Sequence, residues 1–325
     1  MIISQTPLRI SFAGGGTDFA GFYQSEGGCV VSAAIDKYIY VIVKERFDEN
    51  IRVGYSRTEI TDNLDNLQHE LVREAMRKIG TKPGVEISTM ADIPSEGTGL
   101  GSSSSVTVGV LNALYAYEGS IAPAATLARE ACEIEIDILG KPIGKQDQYI
   151  VALGGLRCLE FRPDGKVEVH PINISEELRR ELSDHLLLFF TGVTRKSADI
   201  LSEQKESIAD HFGTLRGMRD QAIELKHQLE MGNIDAVGHA MREGWELKKK
   251  LAGKISNPHL DELHDEAIGA GALGAKIAGA GGGGFLLVYA PRDKTSSVRR
   301  ALSSLKEMPF QIERDGTKVI FNVRR

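Results

Sequence analysis

The chain has 325 residues, of which 42% are hydrophobic and 26% are charged, and its formal net charge is −6. These values are typical of a globular protein long enough for two domains, and the acidic balance disfavours nucleic acid as the main partner. No run of about 18 apolar residues occurs, which predicts no membrane partner. Three well-separated cysteines and an N-terminus unlike a signal peptide lead us to expect a cytoplasmic protein without disulfides.

Strand signals dominate the first half of the chain. Residues 6–13, TPLRISFA, place Leu8, Ile10 and Phe12 on one face, which predicts a half-buried strand. Residues 38–47, YIYVIVKERF, are rich in β-branched and aromatic side chains and predict another strand.

Turn and helix signals become frequent further along the chain. Asp-Gly pairs at 164–165 and 315–316 predict hairpin turns between apolar segments. Residues 185–192, HLLLFFTG, predict a short apolar strand, and long helical patterns follow from about 196 to 271. A final glycine-rich run leads into a predicted strand at 285–290, FLLVYA.

These elements do not alternate regularly between strand and helix. The pattern disfavours a doubly wound parallel sheet and predicts an α+β fold in both halves. The character of the sequence changes near residue 180, so we expect an N-terminal domain at 1–180 and a C-terminal domain at 181–325.

The stretch PSEGTGLGSSSS, residues 94–105, precedes an apolar helical stripe and places four serines at a predicted helix N-terminus. Free amides and the helix dipole favour an anion there, and Gly97, Gly99 and Gly101 allow the backbone to come close to a ligand. The spacing matches neither a Walker A loop nor a dinucleotide fingerprint. A phosphate-binding loop and a capped helix after a flexible turn both fit this pattern.

Two further glycine runs flank predicted strands. FAGGGTD, residues 12–18, ends the first strand, and its Asp18 is either a turn former or a ligand for hydroxyl groups. The run at 279–284 follows a helix and precedes a strand, the reverse of the order in a dinucleotide site. It fits either a tight turn or a place where backbone approaches another group closely, and its length favours close approach.

Residues 124–139 form a helical pattern with several acidic side chains. Projection at 100° per residue collects most of them on a solvated arc: Glu130, Glu133 and Asp137. The arc opposite is apolar, and its centre is formed by Leu127, Ala131, Ile134 and Ile138. Glu135 falls inside this apolar arc, where an ionised carboxylate needs a partner.

Together the three glycine runs, in this order, resemble the motifs of the GHMP small-molecule kinases, a family that includes galactokinase, homoserine kinase and mevalonate kinase. The resemblance covers nearly the whole chain: PLRISFAGGGTD is similar to the first motif, PSEGTGLGSSSS to the second and KIAGAGGGGFLLV to the third. The segment PIGKQDQY, residues 142–149, resembles the one that carries the family's catalytic aspartate.

Two features resemble the branch of the family that phosphorylates heptose 7-phosphate. Gly15 and Gly16 stand where galactokinases usually carry Glu-His, and residues 189–201, FFTGVTRKSADIL, are also similar to that branch. The resemblance implies transfer of phosphate from ATP to the anomeric hydroxyl, giving a 1,7-bisphosphate for nucleotide-activated heptose and surface polysaccharide. The alternatives are a kinase for another sugar, such as fucose, mannose or galactose, a mevalonate kinase, and a non-catalytic sugar sensor.

The resemblance also implies an architecture and a set of partners. The N-terminal domain resembles a ribosomal-protein-like fold and the C-terminal domain a ferredoxin-like fold, with ATP, Mg²⁺ and a phosphorylated sugar in the cleft between them. The oligomeric state stays open between monomer and homodimer.

Catalytic and metal-binding roles follow from the matched motifs. Asp147 matches the family's catalytic base, and Arg9 or Lys145 would keep it ionised and steady the transferring group. Glu135 matches the family's magnesium ligand, and Ser103 is the expected hydroxyl ligand, with Ser102 and Ser104 as competitors.

Binding roles complete the expectation. The ATP phosphates would be held by Gly97, Gly99, Leu100, Gly101, Ser102, Ser103 and Ser104. The sugar would be held by Gly14, Gly15, Gly16, Thr17, Asp18, Gly281 and Gly282, with the first three glycines leaving space for a substrate larger than a hexose. Arg195 and Lys196 open a predicted helix and fit either a site for the distal phosphate or a solvated pair.

Overall fold

The computed structural model describes residues 1–93, 97–194 and 197–323. Within these ranges the chain forms two sheets, one of eight strands and one of four, with helices packed against both. The eight-stranded sheet consists of β1 (Ile2–Ala13), β2 (Gly28–Glu45), β3 (Ile51–Gly54), β4 (Thr58–Thr61), β5 (Val85–Ala91), β6 (Leu156–Phe161), β7 (Val167–Pro171) and β12 (Lys318–Asn322). The four-stranded sheet consists of β8 (Leu186–Phe190), β9 (Gly274–Ile277), β10 (Phe285–Tyr289) and β11 (Lys306–Glu307).

The helices lie mostly in the middle and C-terminal parts of the chain. They are α1 (Ala20–Glu26), α2 (Glu70–Ile79), α3 (Ser102–Tyr117), α4 (Ala124–Cys132), α5 (Gln146–Leu153), α6 (Glu176–His185), α7 (Ser197–Glu206), α8 (Phe212–Glu230), α9 (Ala236–Lys248), α10 (Pro258–Gly269) and α11 (Thr295–Ala301). Short 3₁₀ turns occur at Leu64–Asn66 and Ile208–His211. No helix among the described residues is long and apolar enough to cross a membrane.

The organising strand of the larger sheet is β2, which has 18 residues. Its first half pairs with β6 and its second half with β5, while β1 pairs along its other edge. The β1 side chains Leu8, Ile10 and Phe12 are fully buried, as their alternation predicts. The strand therefore delivers its C-terminal end, where FAGGGTD begins, into the interior of the molecule.

The smaller sheet has the order β11-β8-β10-β9 and is antiparallel throughout. Its strands are short apolar runs, and every residue of β9 and β10 is buried. Lys276 of β9 is among them, which places a cation inside an apolar strand.

One hairpin prediction is correct and the other is wrong. Asp164-Gly165 joins β6 to β7, which pair as an antiparallel hairpin. The strand after Asp315-Gly316, β12, pairs instead with β1 at the edge of the larger sheet. The predicted boundary at residue 180 lies inside α6, and because β12 returns to β1, one cut at that point does not separate the two sheets.

The acidic helix departs from regular α geometry. After α4 the chain continues as a π-helical turn over Glu133–Ile138. A π turn holds more residues than an α turn, so the projection at 100° per residue fails at its end. Glu135 is fully buried, as predicted, but Ile138 is 50% exposed and the prediction that it is buried was wrong.

Candidate active site

The loop before α3 has the backbone shape expected of a ligand-binding turn. Gly97, Gly99 and Gly101 have φ angles of 71°, 77° and 79°, a region that side chains disfavour. Gly101 is the N-cap of α3, and the first amides of a helix are not used by the helix's own carbonyl groups. The backbone geometry of this loop and helix start is therefore compatible with the anion-binding role that the sequence predicts, which stays a prediction.

The third glycine run packs directly on this loop. A Cβ on Gly99 would lie 2.4 Å from the carbonyl oxygen of Ala278, and one on Gly279 would lie 2.6 Å from that of Gly99. A Cβ on Gly284 would lie 2.5 Å from the oxygen of Thr98. The close approach expected at 279–284 is therefore an approach of backbone to backbone. It joins the smaller sheet to residues 97–101, called the phosphate loop below after its predicted role.

Asp147 and Arg9 form a bidentate ion pair beside the loop. The Arg9 Nε donates to Asp147 Oδ1 at 2.7 Å, and Nη2 donates to Oδ2 at 2.6 Å. The remaining guanidinium nitrogen, Nη1, donates to the Gly99 carbonyl at 2.5 Å. The Arg9 side chain is 6% exposed and the Asp147 side chain 23%, so the pair holds its geometry while the carboxylate stays accessible.

Lys145 does not share this pairing, contrary to our expectation. Its ammonium donates to the Gly165 carbonyl at 2.9 Å and lies 5.0 Å from the centroid of the Tyr23 ring. Residues two apart at the start of a helix project in different directions, so Lys145 and Asp147 face different surroundings. Arg9 is thus the cation that orients Asp147.

Glu135 is surrounded by hydrogen-bond donors. Thr107 Oγ1 and Gln148 Nε2 each donate to its carboxylate at 2.5 Å, Ser104 Oγ at 2.8 Å and Ser103 Oγ at 3.2 Å. Burial raises the pKa of Glu135, whereas the bonds from Thr107, Ser104 and Gln148 and the charge of Lys141 oppose that rise. The partners that this buried carboxylate needs are therefore supplied by neutral hydrogen-bond donors.

The same contacts separate the three candidate serines. Ser104 is buried and its hydroxyl is directed to Glu135, whereas Ser103 is exposed in the first turn of α3. Ser102 and Ser103 both line an open cavity beside the helix start. The set of a buried carboxylate with an exposed hydroxyl offers the hard oxygen donors that Mg²⁺ prefers.

Asp18 lines a second cavity and is 2% exposed. Its carboxylate accepts from the backbone amide of Gly16 at 3.0 Å and from the backbone and side-chain nitrogens of Gln146 at 3.2 Å. Burial raises the pKa of Asp18, and the charge of Asp147 adds to the rise. Gly144 makes room for this carboxylate, because a Cβ there would lie 2.0 Å from Asp18 Oδ2.

Two members of the first glycine motif are structural. The Thr17 hydroxyl donates to the carbonyls of Gly14 and Cys29 and accepts from the Cys29 amide, so it ties the loop to β2. A Cβ on Gly14 would lie 1.9 Å from the Cys29 oxygen. Protein atoms therefore fill the space beside Gly14, so the prediction that Gly14 makes room for substrate was wrong, whereas a role of Thr17 and Gly14 in substrate binding stays a prediction.

Gly281 and Gly282 also face protein. A Cβ on Gly281 would lie 2.8 Å from Ile255, and the Gly282 amide donates to the Ile255 carbonyl at 2.5 Å. The part of this run that lines the second cavity is Gly279 and Ala280. Gly281 and Gly282 therefore contact Ile255, and their role in substrate binding stays a prediction.

Cations that the sequence analysis missed converge on the same cavity. Lys276 Nζ donates to the carbonyls of Ser11 and Phe12 at 3.0 and 3.4 Å, and Lys248 Nζ donates to Gly279. Burial, with the nearby charges of Lys248 and Arg9, holds the pKa of Lys276 well below its ordinary value. A lysine inside the apolar strand β9 was the available signal. Arg195 and Lys196 lie outside the described residues.

One cavity lies beside Ser102 and Ser103, and another lies beside the Arg9–Asp147 pair. The larger, about 380 Å³, is lined by Ile39, Tyr55, Ser56, His69, Leu71, Thr89, Met90, Ala91, Ile93, Ser102, Ser103 and Val106. The second, about 70 Å³, is lined by polar groups that include Arg9, Ser11, Gly15, Asp18, Asp147, Gln204, Lys248 and Lys276. Asp147 lies in the wall of the second, so a group bound there faces the carboxylate.

Comparison with known families agrees with this arrangement. The N-terminal domain of the GHMP kinases matches residues 66–155, and the C-terminal domain of the GHMP kinases matches residues 223–307. The chain is 30% identical to a D-glycero-alpha-D-manno-heptose 7-phosphate kinase of Campylobacter jejuni, over 98% of each protein. It is 28% identical to a Bacteroides fragilis L-fucokinase/L-fucose-1-P guanylyltransferase, over 92% of the chain and 35% of that protein.

Comparison with solved structures identifies proteins of the same fold. A D-glycero-D-manno-heptose 1-phosphate kinase from Bacteroides thetaiotaomicron superposes with a TM-score of 0.82 at 27% identity, covering all of both chains. Lactococcus lactis galactokinase complexed with galactose superposes with a TM-score of 0.78 at 19% identity, over 98% of this chain and 94% of that one, which shows the shared fold. The predicted two-domain α+β architecture is confirmed. The chain therefore belongs to the GHMP kinase family and is an ATP-dependent sugar kinase.

Proposed function

We propose that this kinase transfers the γ-phosphoryl group of ATP to the anomeric hydroxyl of D-glycero-D-manno-heptose 7-phosphate, giving the 1,7-bisphosphate. The observation that carries the proposal is the Arg9–Asp147 pair, in which one guanidinium bridges the carboxylate and the phosphate loop. The likeness to the Campylobacter heptose 7-phosphate kinase over nearly the whole chain supports the choice of sugar. The product would supply nucleotide-activated heptose for surface polysaccharide.

Asp147 would act as the general base. A sugar hydroxyl is a poor nucleophile until its proton has an acceptor, and a carboxylate within hydrogen-bond reach provides one. Arg9 holds both carboxylate oxygens and the loop carbonyl of Gly99, so the base is fixed relative to the phosphates. Lys248 and Lys276, which line the same cavity, would stabilise the negative charge of the transferring group.

The nucleotide would lie across the start of α3. Backbone amides of Gly97, Gly99 and Gly101, with the hydroxyls of Ser102 and Ser103, would hold the phosphates. The larger cavity adjoins these serines and combines the Tyr55 and His69 rings with the apolar side chains of Ile39, Met90 and Ile93. Such a lining suits a purine, which buries a flat apolar face and presents polar edges.

Mg²⁺ would be held by Glu135 and Ser103. When bound, the ion neutralises charge on the phosphate oxygens and orients the γ-phosphoryl group. The donors Thr107, Ser104 and Gln148 fix the rotamer of Glu135. Lys141, whose ammonium lies 3.5 Å from Ser103 Oγ, adds a positive charge beside the same hydroxyl.

Recognition of the distal phosphate remains a proposal from the sequence. Arg195 and Lys196 precede α7, one wall of the second cavity, and would pair with a phosphate at the far end of the sugar. Arg195→Ala is expected to lose discrimination between phosphorylated and plain sugar. Unchanged discrimination would contradict this role.

The direct test is ADP release from Mg-ATP across a panel of acceptors. The panel contains the 7-phosphate and the 1-phosphate of D-glycero-D-manno-heptose, mannose, fucose, galactose and mevalonate. We expect turnover on the heptose 7-phosphate, loss of that turnover in Asp147→Asn, and wild-type rates in Asp137→Asn, a control at an exposed carboxylate. Turnover confined to another acceptor would contradict heptose 7-phosphate as the substrate. Binding of a sugar or ATP without turnover of any acceptor would indicate a sensor.

A further inference from the structure

We propose that Ser11, Gln146 and Gln204 form a neutral patch that reads the hydroxyl groups of the sugar in the second cavity. The inference deepens the proposed function and rests on it. All three side chains line that cavity, and each carries a buried polar atom without a hydrogen-bond partner among the described residues. Those atoms are Ser11 Oγ, Gln146 Oε1 and Gln204 Nε2.

Gln204 supplies a donor from the smaller-sheet side of the cavity. It lies on α7, and the residue is only 3% exposed. A Cβ on Gly16 would lie 2.4 Å from its Nε2, so the missing side chain at position 16 is what admits the amide. Gly16 thus makes room for a protein group, and that group projects over the first glycine motif.

Gln146 supplies an acceptor from the opposite side. Its Nε2 donates to Asp18 Oδ2 at 3.2 Å, and this bond fixes the amide orientation, because the reverse orientation would set an oxygen against a carboxylate. The side-chain oxygen, Oε1, is therefore left for another partner. Gly15 lies next to it, since a Cβ there would lie 3.9 Å from both Gln146 Nε2 and Ser11 Oγ.

The unpaired atoms indicate which hydrogen-bonding groups the ligand carries. A buried polar atom without a partner costs about 1–3 kcal/mol, so three in one cavity are explained by a ligand that pairs with them. The patch offers an amide donor, an amide acceptor and a hydroxyl that can do either. That combination matches several adjacent hydroxyl groups, each of which donates and accepts, and carries no net charge that would select an anion or a cation.

The test compares wild type with Gln204→Met, which keeps the length of the side chain and removes its donor. Each protein is assayed on the acceptor that wild type turns over best and on deoxy analogues of it, each lacking one hydroxyl. We expect wild type to lose about tenfold in kcat/KM on at least one analogue. Gln204→Met should lose about tenfold on the full sugar and show no further loss on that analogue, with the KM for ATP unchanged.

Two further variants separate recognition from folding. Gln204→Leu also removes the donor and adds no charge, so it should behave like Gln204→Met. Gln228→Met, on α8 away from the cavity, should match wild type. A structural role would instead lower Tm, whereas removal of an unpaired buried donor should leave Tm unchanged or raise it.

The outcomes distinguish this inference from the proposed function. Wild-type turnover with undiminished discrimination in both Gln204 variants would overturn the hydroxyl-reading patch and leave the kinase assignment intact. Absence of turnover on every sugar would overturn the proposed function and the inference together. If both Gln204 variants no longer distinguish the full sugar from the analogue that lacks one particular hydroxyl, the hydroxyl-reading patch is supported.

Discussion

The two sides of the phosphate loop differ in how completely their polar groups are paired. On one side, Glu135 is buried and accepts four side-chain hydrogen bonds. On the other, the cavity that contains Asp18 leaves polar atoms of Ser11, Gln146 and Gln204 without partners among the described residues. The first side is therefore fully paired by protein groups, whereas we propose that a ligand completes the second.

The difference matches the chemistry that each side would perform. A metal-binding carboxylate must hold one geometry, and fixed donors provide that at little cost on binding. A sugar site must instead reward the correct hydroxyl pattern, and groups that pair only with that pattern provide selectivity. Asp147 and Arg9 lie between the two sides and are expected to couple them.

The largest effect is expected where the two sides meet. Asp147→Asn removes the proton acceptor but keeps the shape of the side chain, so kcat should fall by about 10³-fold or more. The KM for ATP should change little, because the loop and α3 bind the phosphates through other groups. Steady-state ADP release measures both constants. A loss of less than tenfold would contradict the role of Asp147 as the base.

The next effect tests the fully paired side. Glu135→Gln keeps the volume of the side chain and its contacts with the hydroxyl groups but removes a negative charge. We expect kcat to fall by about 100-fold and the Mg²⁺ concentration for half-maximal activity to rise. Magnesium titrations of activity measure this shift. The control is Glu133→Gln, which removes a half-buried carboxylate paired with Lys78 on the outer side of the same helical turn. Equal magnesium dependence in the two variants would contradict a metal role for Glu135.

A smaller effect separates the two parts of the third glycine run. Gly281 has φ of 90° and faces Ile255, so Gly281→Ala should lower the free energy of unfolding by about 2–3 kcal/mol. The kcat of the protein that remains folded should change little. Gly80→Ala is the matched control, because Gly80 has φ of 80° and no atom within 4 Å of the added Cβ. Denaturant unfolding of the two variants separates the clash from the backbone strain.

The smallest effect is a pH dependence at Lys276. Its depressed pKa means that, between that pKa and the ordinary value of 10.5, the unfolded chain binds more protons than the folded protein. Wild type therefore gains stability as pH rises through this window. Lys276→Met lacks the gain, so Tm of the variant minus Tm of wild type should decrease by a few degrees from pH 7 to pH 10. The exposed Lys254→Met should give a constant difference.

Much of the fully paired side could be predicted from the sequence. The position of Glu135 inside an apolar arc, the glycines before a helix start and the motif around Asp147 are all local patterns. The accuracy of the prediction was limited by local geometry, because Ile138 is exposed at the end of a π-helical turn that the sequence did not indicate. The backbone geometry of the loop was predictable because one continuous segment builds it.

The sugar side could not be predicted in the same way. Ser11, Gln146 and Gln204 come from β1, α5 and α7, and only the packing of the two sheets brings them together. Glycines are ambiguous for the same reason: sequence alone does not tell whether the space beside Gly16 or Gly281 holds a ligand or a protein group. The pairing of β12 with β1 is likewise a contact between the two ends of the chain.

We expect the transferred phosphate to go to the anomeric oxygen of a heptose 7-phosphate. The most direct measurement is ³¹P NMR of the product formed from D-glycero-D-manno-heptose 7-phosphate and Mg-ATP. We expect the 7-phosphate signal to persist and a new sugar-phosphate signal to appear that is coupled to the anomeric proton. A new signal coupled to any other carbon-bound proton of the sugar, or no new signal while ATP remains intact, would contradict it.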